Sequence, residues 1–433
     1  MYDKRRHRCP HGRTVVAALV VVLASLVCLA GCSTRQGSAV IDDVVPPVTP
    51  SPEGSVLPGP LARPPAGSQL GKEPCLVGAP VAWRRAIAAG TLWHRQADGT
   101  TAGVAAPDGS AVLQQSDHGN VAEIALVGRE HRLVHKVGDL PQPGTGQLTY
   151  NVVTRDYVAF FYALKQEDRD RNLWFLYLFD RKTNVLRRLI SNPHDSNGVP
   201  LPGGDVAPIL SGSSLYWVQP TAADSPLGTD ELIQYDLATG RMRTMYRGRL
   251  GAVALVGAAV WFSRAVAASN PMDDNPPMTM AGFDERSGRP VAVPAGITAA
   301  EDHAVSMYYH SGTLSWSTRM GELRAWRVQW GSSITLLPGT GAVTTRLGLS
   351  DQLVPRVYRD FVVISAGGTY VLDLRTNSLA RLGKSSTAGD LTGSILALRD
   401  YGSHDPVTGA GIGPSGVAVV DLAHLPRLPR CPH

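Results

Sequence analysis

The sequence has few charged and few aromatic residues for its length of 433. Charged residues make up 18% of the chain and aromatic residues 6%, against 43% hydrophobic residues. A charged fraction this low, combined with this hydrophobic fraction, excludes a wholly disordered chain. The length is sufficient for one large domain or for two to three domains of ordinary size.

The N-terminal region lacks an apolar run long enough for a membrane-spanning helix. Its apolar run at 15–30 is interrupted only by Ser25, follows a basic segment at 1–13, and is shorter than the ~20 residues that a spanning helix needs. It ends in Leu29-Ala30-Gly31-Cys32, which resembles the lipobox of bacterial lipoproteins. The resemblance implies cleavage before Cys32 and lipid attachment to Cys32. The alternatives are an ordinary cleaved signal and an uncleaved anchor.

The positive charge of the chain lies mostly in this N-terminal segment. The formal net charge is +5 and the isoelectric point is about 9, values typical of proteins that bind nucleic acid or anionic surfaces. Cleavage before Cys32 removes five positive charges and one negative charge, which leaves a net charge of +1. We therefore expect no nucleic-acid partner. Arginine outnumbers lysine 35 to 6, as is typical of high-GC bacteria of the actinobacterial type.

A proline-rich segment follows Cys32. Residues 33–74 contain nine prolines, with Gly, Ser and Thr between them. Because proline lacks a backbone N–H and resists helices and central strands, this composition predicts an extended, disordered spacer. The predicted organisation is a signal peptide at 1–31, a lipidated cysteine and tether at 32–74, and a folded domain at 75–433.

The folded region contains a repeat in which an aromatic-rich strand ends at Asp and a turn. The repeat is visible at 176–184, 233–240, 283–288 and 372–377, with a weaker copy at 419–422. Asp accepts hydrogen bonds from backbone N–H groups two or three residues on, and the closing Gly or Asn tolerates a left-handed conformation. Between β-rich runs such a turn indicates a hairpin. Long helical periodicity is absent, apart from a short stretch at 81–89.

Aligning the repeats gives seven units, in which Asp236 and Asp284 are 48 residues apart, as are Asp373 and Asp421. The units lie at 101–138, 148–190, 206–248, 250–295, 303–337, 353–384 and 388–430. This spacing is the period of a four-stranded β-propeller blade. The region resembles the TolB-like and WD-repeat-like propellers, and Ala106-Pro107-Asp108-Gly109-Ser110 resembles a turn that those families share. The resemblance implies an all-β propeller, which we predict to have seven blades. The alternatives are six or eight blades, or an array of β-sandwiches.

Cysteine is scarce, and this scarcity limits the pairings available. Of five cysteines, Cys9 and Cys28 lie in the signal peptide and Cys32 is the lipid site, which leaves Cys75 and Cys431. A propeller brings the first and last strands of its chain together, and exported cysteines are usually bridged. We therefore predict a Cys75–Cys431 disulfide, with two free thiols as the alternative.

Catalytic and metal-binding patterns are also lacking. The sequence contains no nucleophile elbow, P-loop or dinucleotide-binding fingerprint. His131 and His135 lie in a strand-like run, where positions i and i+4 are ~13 Å apart, so they cannot chelate a metal as they would on a helix. We predict no catalytic residue, no metal and no cofactor. Trp217, Trp261 and Trp316 fall at equivalent positions of three units and are interpreted as packing between blades.

Long loops in this repeat are predicted to gather on one face of the propeller. They lie at 165–171, 191–205, 219–230, 264–277 and 399–415, and they carry more acidic than basic residues. Such a face is expected to attract a cation or a basic partner, although Asp is also favoured in ordinary turns. The candidate binding residues on it are Asp168, Asp170, Asp195, Asp205, Asp224, Asp230, Asp273, Asp274 and Asp405.

The predicted function is binding at the cell envelope. We expect an exported monomer, lipid-anchored to the outer face of the cell membrane, that captures a protein or a small ligand. One alternative is a propeller hydrolase or lyase acting on envelope or extracellular polymers. Another is an accessory lipoprotein that modulates a sensor kinase or a secretion system.

Overall fold

The structure, a computed structural model, describes twenty stretches of the chain between residues 74 and 430. They are 74–96, 100–117, 120–128, 133–136, 146–164, 173–201, 207–221, 229–266, 277–294, 304–310, 313–318, 322–330, 334–336, 345–346, 354–365, 369–382, 386–400, 403–404, 411–412 and 416–430. Within these stretches no helix combines the length and the apolar character that crossing a bilayer requires.

The described residues form one helix and many short strands, as the all-β prediction requires. The helix is α1 (Val81–Gly90), at the short helical stretch predicted from the sequence. The strands of the N-terminal half are β1 (Cys75–Val77), β2 (Thr91–Gln96), β3 (Thr100–Ala105), β4 (Ala111–Asp117), β5 (Asn120–Val127), β6 (Leu133–Lys136), β7 (Gly146–Val153), β8 (Tyr157–Leu164), β9 (Trp174–Asp180), β10 (Val185–Ser191), β11 (Ile209–Leu210), β12 (Ser214–Thr221), β13 (Thr229–Asp236) and β14 (Met242–Gly248).

The strands continue in the same pattern to the C-terminus. They are β15 (Leu250–Val256), β16 (Ala259–Ala265), β17 (Met278–Asp284), β18 (Ala304–His310), β19 (Thr313–Thr318), β20 (Glu322–Trp330), β21 (Ile334–Leu336), β22 (Thr345–Arg346), β23 (Val354–Tyr358), β24 (Phe361–Ser365), β25 (Thr369–Asp373), β26 (Ser378–Arg381), β27 (Ser386–Thr392), β28 (Ile395–Asp400), β29 (Ser403–His404), β30 (Gly411–Ile412) and β31 (Gly416–Asp421).

Hydrogen-bond pairing arranges these strands into the sheets of a β-propeller. Sheet 1 has the order β2-β31-β28-β27-β3-β4-β5-β6, and β29 pairs only with β30. Sheets 2 and 3 run β7 to β10 and β11 to β14 in sequence order. Sheet 4 runs β15 to β17 and sheet 5 runs β18 to β21, with β22 against β20. Sheet 6 runs β23 to β26, with β1 added outside β26.

The predicted number of blades, seven, is wrong. Counted over the described residues, the pairing gives six sheets of three or more strands. The units at 101–138 and 388–430 share sheet 1, because Val104 of β3 pairs in parallel with Asp390 of β27. Sheet 4 has three strands, and an isolated bridge from Phe283 to Pro290 lies where a fourth strand was expected.

The Asp-containing turns predicted from the repeat are confirmed. In the clearest copy the Asp236 carboxylate accepts hydrogen bonds from the N–H groups of Ala238 (3.0 Å) and Thr239 (2.7 Å). Gly240 closes this turn at φ 71°, the left-handed region that favours glycine. The closing residues of the other copies share this conformation: Asn184, Gly288 and Asn377. The turn chemistry therefore sets where each third strand ends and each fourth strand begins.

The predicted packing role of the three tryptophans is also confirmed. Trp217, Trp261 and Trp316 are at most 1% exposed. Trp217 packs in a core shared by sheets 2 and 3, and the other two pack in a core shared by sheets 4 and 5. Each indole thus fills the space between neighbouring sheets rather than forming a surface for a ligand to stack on.

The two ends of the domain close the ring of sheets. β2 pairs antiparallel with β31 as an outer strand of sheet 1, and β1 pairs parallel with β26 of sheet 6. Residues 422–430, which we call the C-terminal strap, pack beside α1: the Trp83 indole N–H donates to the Pro426 carbonyl at 2.7 Å. Strands separated by about 300 positions in the sequence therefore share sheets.

An ionic cluster holds the C-terminal strap on sheet 6. The Arg427 guanidinium donates to the Asp373 carboxylate at 3.1 Å and also to Asp360. Asp373 accepts the backbone N–H groups of Arg375 and Leu428, each at 3.0 Å. Because Asp360 and Asp373 are 3% and 0% exposed, these charges are removed from water and depend on their partners.

The antiparallel order of each sheet defines two faces of the propeller. The turns from first to second strand and from third to fourth strand lie at one end of each sheet, which we call the short-turn face. Turns of neighbouring sheets touch there: Arg181 pairs with Asp108 at 2.7 Å, and Thr313 Oγ1 donates to the Arg359 carbonyl at 2.7 Å. The links from second to third strand lie at the opposite end, which we call the long-loop face.

Candidate binding pocket on the long-loop face

A pocket of about 450 Å³ opens at the long-loop end of sheet 3. Its walls come from the ends of β12, β13 and β14 and from the segment that follows β10. The lining residues are Pro193, Gln219, Pro220, Thr221, Thr229, Glu231 and Arg247. A cavity of this size accommodates a small ligand or a few side chains of a protein partner.

Strand pairing positions the polar side chains of this pocket. Glu231 on the central strand β13 pairs with Gln219 of β12 on one side and with Arg247 of β14 on the other. Residues directly opposite in a sheet project to the same face, so the three side chains lie in a row. Thr221 pairs with Thr229, and the Thr221 hydroxyl donates to the Thr229 carbonyl at 2.7 Å.

A hydrogen-bonded chain fixes the charged pair that lines the pocket. The Arg247 Nε–H donates to Glu231 Oε1 at 2.8 Å, and Nη2 donates to the same oxygen. Gln219 Nε2 approaches Glu231 Oε2 at 3.4 Å, while the Trp217 indole N–H donates to Gln219 Oε1 at 3.0 Å. The buried tryptophan therefore orients the amide, and the amide and the guanidinium together hold the carboxylate.

The exposed charge of the pocket belongs to Arg247. Its side chain is 53% exposed, whereas that of Glu231 is 11% exposed. Two of the five guanidinium N–H groups bind Glu231, and within the described part of the chain the remaining three have no acceptor. The pocket can therefore donate hydrogen bonds to a carboxylate or carbonyl oxygen of a ligand, a preference opposite to that predicted for an acidic face.

The wall opposite sheet 3 is held by hydrogen bonds to sheet 2. The Asn192 backbone N–H donates to the Trp174 carbonyl at 3.0 Å, and its side-chain amide donates to the Leu201 carbonyl at 2.9 Å. The Leu201 N–H in turn donates to the Pro193 carbonyl at 2.8 Å. Pro193 is thus fixed against the sheet before any ligand arrives.

Only two of the predicted acidic binding residues lie in the described residues, and both have structural partners. Asp195 accepts the backbone N–H groups of Asn197 and Val199, each at 2.8 Å, and so closes a local turn. Asp230 accepts the Leu250 N–H at 3.0 Å, which joins β13 to the start of β15. Burial raises the pKa of Asp230, against the effects of this hydrogen bond and of Arg249.

Asp230 also lies on a strand rather than in the loop predicted at 219–230. The strands extend further than expected because Pro220 pairs with Asp230 and Thr221 with Thr229. The other predicted site residues lie outside the described residues: Cys32, Asp168, Asp170, Asp205, Asp224, Asp273, Asp274, Asp405 and Cys431. Within the part that is described, no three metal-binding side chains come together.

Sequence reasoning missed Gln219, Glu231 and Arg247, which form the polar row of the pocket. The first two stand at the borders of the predicted loop, where polar residues carry no clear strand signal. One feature of the sequence could have indicated that Glu231 lies on a strand. Glu231 is directly followed by the run Leu232–Tyr235, which is buried in β13.

The similarity of this chain to known proteins is to solved structures of low sequence identity. No protein-family model and no curated protein matches the chain. Among solved structures, BamB from Moraxella catarrhalis is 12% identical, over 77% of this chain and 92% of that chain, with a TM-score of 0.41. Oligogalacturonate lyase from Vibrio parahaemolyticus is 12% identical, over 77% of this chain and 93% of that chain, with a TM-score of 0.46.

Proposed function

We propose that the chain is an exported lipoprotein whose propeller binds a protein or a small ligand at the pocket of Glu231 and Arg247. The observation that carries the binding role is the exposed Arg247 guanidinium, which is held in place by a buried carboxylate inside a cavity of about 450 Å³. A fixed cation loses little conformational freedom on binding, which favours affinity. The proposed ligand feature is an oxygen acceptor, either a carboxylate or a carbonyl group.

The support for a membrane location comes from the sequence of the N-terminal region. The basic segment, the apolar run and Leu29-Ala30-Gly31-Cys32 are arranged as in a lipoprotein signal. The proline-rich residues that follow are a suitable spacer between a lipid on Cys32 and the first strand at Cys75. The proposed location is the outer face of the cell membrane.

Photo-cross-linking in intact cells tests the pocket. A photoreactive amino acid at Thr229 in the pocket is expected to give a defined adduct that the same probe at Val185 does not give. Val185 is 41% exposed on the outer strand of sheet 2 and does not line the pocket. Arg247→Ala should reduce the Thr229 adduct at least about tenfold, because a hydrogen bond to a charged group contributes ~1.5–3 kcal/mol.

Two outcomes would contradict this binding role. One is the same set of adducts from Thr229 and Val185, which would show that the pocket has no preferred partner. The other is an adduct from Thr229 that Arg247→Ala leaves unchanged. Arg247→Lys serves as a control for charge alone, since lysine keeps the charge but loses the planar two-donor contact with Glu231.

Metabolic labelling with a palmitate analogue tests the anchor. The unsubstituted chain is expected to carry the label, and Cys32→Ala is expected to lose it completely because the acceptor thiol is gone. Cys75→Ala is the matched control and should keep the label. Label that persists in Cys32→Ala would disprove the proposed anchor.

We also propose that Cys75 and Cys431 form a disulfide that fastens the C-terminal strap to β1. Cys75 pairs with Ser378 across β1 and β26, and the Ser378 hydroxyl donates to the carbonyl of Pro429. Cys75 and Pro429 therefore flank the same residue. Cys431 follows Pro429 by two positions, a distance that an extended chain covers in ~7 Å.

A further inference from the structure

Arg264, near the end of β16 on the long-loop face, is an arginine without an acceptor. No residue in the described stretches forms an ion pair with its guanidinium, and its Nε–H is buried without a hydrogen-bond partner. Its Cζ lies over the Tyr246 ring, 5.7 Å from the centroid, a contact that leaves the N–H groups unbound. Because nearly all buried donors in folded proteins find an acceptor, this side chain indicates an acceptor supplied by another molecule.

Arg264 and the pocket lie on opposite sides of sheet 3. Tyr246 and Arg247 are consecutive residues of β14, so their side chains project to opposite faces of the sheet. Arg247 lines the pocket on the face toward sheet 2, whereas the Tyr246 ring contacts Phe262 of sheet 4, with centroids 4.9 Å apart. Packed sheets are ~10 Å apart, so we expect roughly that distance between the two guanidinium groups, across the end of sheet 3.

Both arginines have donors left for a ligand. Glu231 occupies the Nε and Nη2 edge of Arg247, which leaves the Nη1 and Nη2 edge unbound within the described residues. Such an edge matches both oxygens of a carboxylate, whereas a single carbonyl oxygen uses only half of it. Arg264 is already partly shielded from water, so part of the desolvation that binding an anion requires has already occurred.

Hydrogen bonding, rather than net charge, distinguishes these two groups from the rest of the pocket rim. The described long-loop ends of sheets 3 and 4, with the segment after β10, hold three acids and three arginines: Asp195, Asp230, Glu231, Arg247, Arg249 and Arg264. Each of the three carboxylates accepts a hydrogen bond from this chain, two from backbone N–H groups and one from Arg247. Arg264 and the outer edge of Arg247 are therefore donors that the described rim leaves unmatched.

We propose, on the basis of the binding role proposed for the pocket, that Arg247 and Arg264 bind two carboxylates of one polypeptide segment that crosses the end of sheet 3. An extended segment covers ~10 Å in three residues, so acidic residues two to four positions apart can reach both arginines. A polypeptide is favoured over an acidic glycan because Pro193 and Pro220 give the pocket an apolar wall. Such a wall suits a side chain, whereas sugar hydroxyls buried against it would lack partners.

Fluorescence anisotropy with defined peptides tests the proposal on the full chain. The double peptide contains Glu-Thr-Thr-Thr-Glu between threonine pairs, and each single peptide has one Glu replaced by Gln. We expect the double peptide to bind at least about tenfold more tightly than either single peptide, because each replacement removes a charge-assisted hydrogen bond. Arg264→Gln should abolish this preference, so that double and single peptides bind within about twofold of each other.

The matched control is Arg241→Gln, which removes one positive charge from the short-turn end of the same sheet. Arg241 is exposed, and its backbone carbonyl accepts the Asp236 N–H in the turn there. This control is expected to keep the preference for the double peptide within about twofold. An equal loss in Arg241→Gln and Arg264→Gln would reduce the effect to net charge and overturn the proposal. Thermal unfolding of Arg264→Gln should change little, because the substitution removes only the contact with Tyr246.

The same titrations separate this proposal from the binding role of the pocket. If double and single peptides bind equally and Arg247→Gln weakens both, the pocket keeps its role and the contribution of Arg264 is disproved. Tighter binding of an oligouronate than of the double peptide would overturn the choice of a polypeptide. If no peptide binds and the Thr229 probe also gives no specific adduct, both proposals fail together.

Discussion

Replacement of Asp373 by alanine is expected to lower the free energy of unfolding by about 3–5 kcal/mol, because it breaks a buried ionic cluster from one side. The substitution leaves the Leu428 and Arg375 N–H groups without their acceptor and Arg427 with Asp360 alone. It also removes the hydrogen bonds of Arg427 and Leu428 to Asp373, while the contacts of Arg427 with Asp360 and of Pro429 with Ser378 remain. Chemical denaturation followed by tryptophan fluorescence measures the loss, since the strap contacts Trp83 through Pro426.

Asp284→Ala is the matched control for this change. Asp284 occupies the equivalent position of its repeat, but it accepts the N–H of Ser287 at 2.7 Å near the surface, and no arginine among the described residues forms a salt bridge with it. We expect a loss of at most about 1 kcal/mol, the usual effect of removing an exposed turn or cap acceptor. Equal losses of unfolding free energy in the two variants would show that the ionic cluster stabilises the domain no more than an ordinary turn does. Asp373→Asn keeps an acceptor for the Leu428 N–H. Its loss of unfolding free energy should therefore lie between those of Asp373→Ala and Asp284→Ala.

Removal of the proposed disulfide is expected to lower the free energy of unfolding by about 5–6 kcal/mol. The bridge closes a loop of about 356 residues, and the chain-entropy treatment assigns roughly this value to so long a loop. Cys75→Ser, Cys431→Ser and the double substitution should therefore be destabilised by the same amount, because each removes the same bond. Denaturation under oxidising conditions measures the three differences.

Reduction provides an independent check of the same bond. A reducing agent should lower the stability of the unsubstituted chain to that of Cys75→Ser and should leave the stability of Cys75→Ser unchanged. If the double variant lost the sum of the two single losses in unfolding free energy, the two cysteines would stabilise the domain independently and not through one shared bond. Equal stability of the unsubstituted chain with and without the reducing agent would exclude the bridge.

Local patterns in the sequence were sufficient to predict the turns and strands that repeat in each sheet. The turn at Asp236 and Gly240 was predictable because every group that closes it lies within a few residues. The central strand around Trp217 was predictable from its continuous apolar run. Such features need only neighbouring residues, so a single sequence contains the information for them.

Contacts between distant segments were not predictable in the same way. Asp373 and Asp236 occupy the same place in the repeat, yet Asp373 is fully buried because Arg427, 54 positions later, folds over it. The pairing of Val104 with Asp390 merged two predicted blades into one sheet, and no spacing in the sequence indicated it.

The candidate pocket lies on the face where the long loops were predicted, but its polar residues are not the predicted ones. Strand β13 begins at Thr229, next to Asp230. The arrangement of the charges could not be predicted, because it depends on which residues of β12, β13 and β14 stand opposite one another. A shift of one residue in that register would have placed Arg247 opposite Asp230 instead of Glu231, and the pocket would have lost its polar row.

The closure of the ring by β1 and β2 has a consequence for the timing of assembly. These strands are among the first of the domain to be synthesised, but their partners β26 and β31 are made about 300 residues later. At ~5–20 residues per second, β1 and β2 wait on the order of 15–60 s for them. During that interval the partner strands β26 and β31 and the C-terminal strap have not yet been made, so the ring stays open until synthesis is nearly complete. The export that we propose would then act on a chain whose ring has not yet closed.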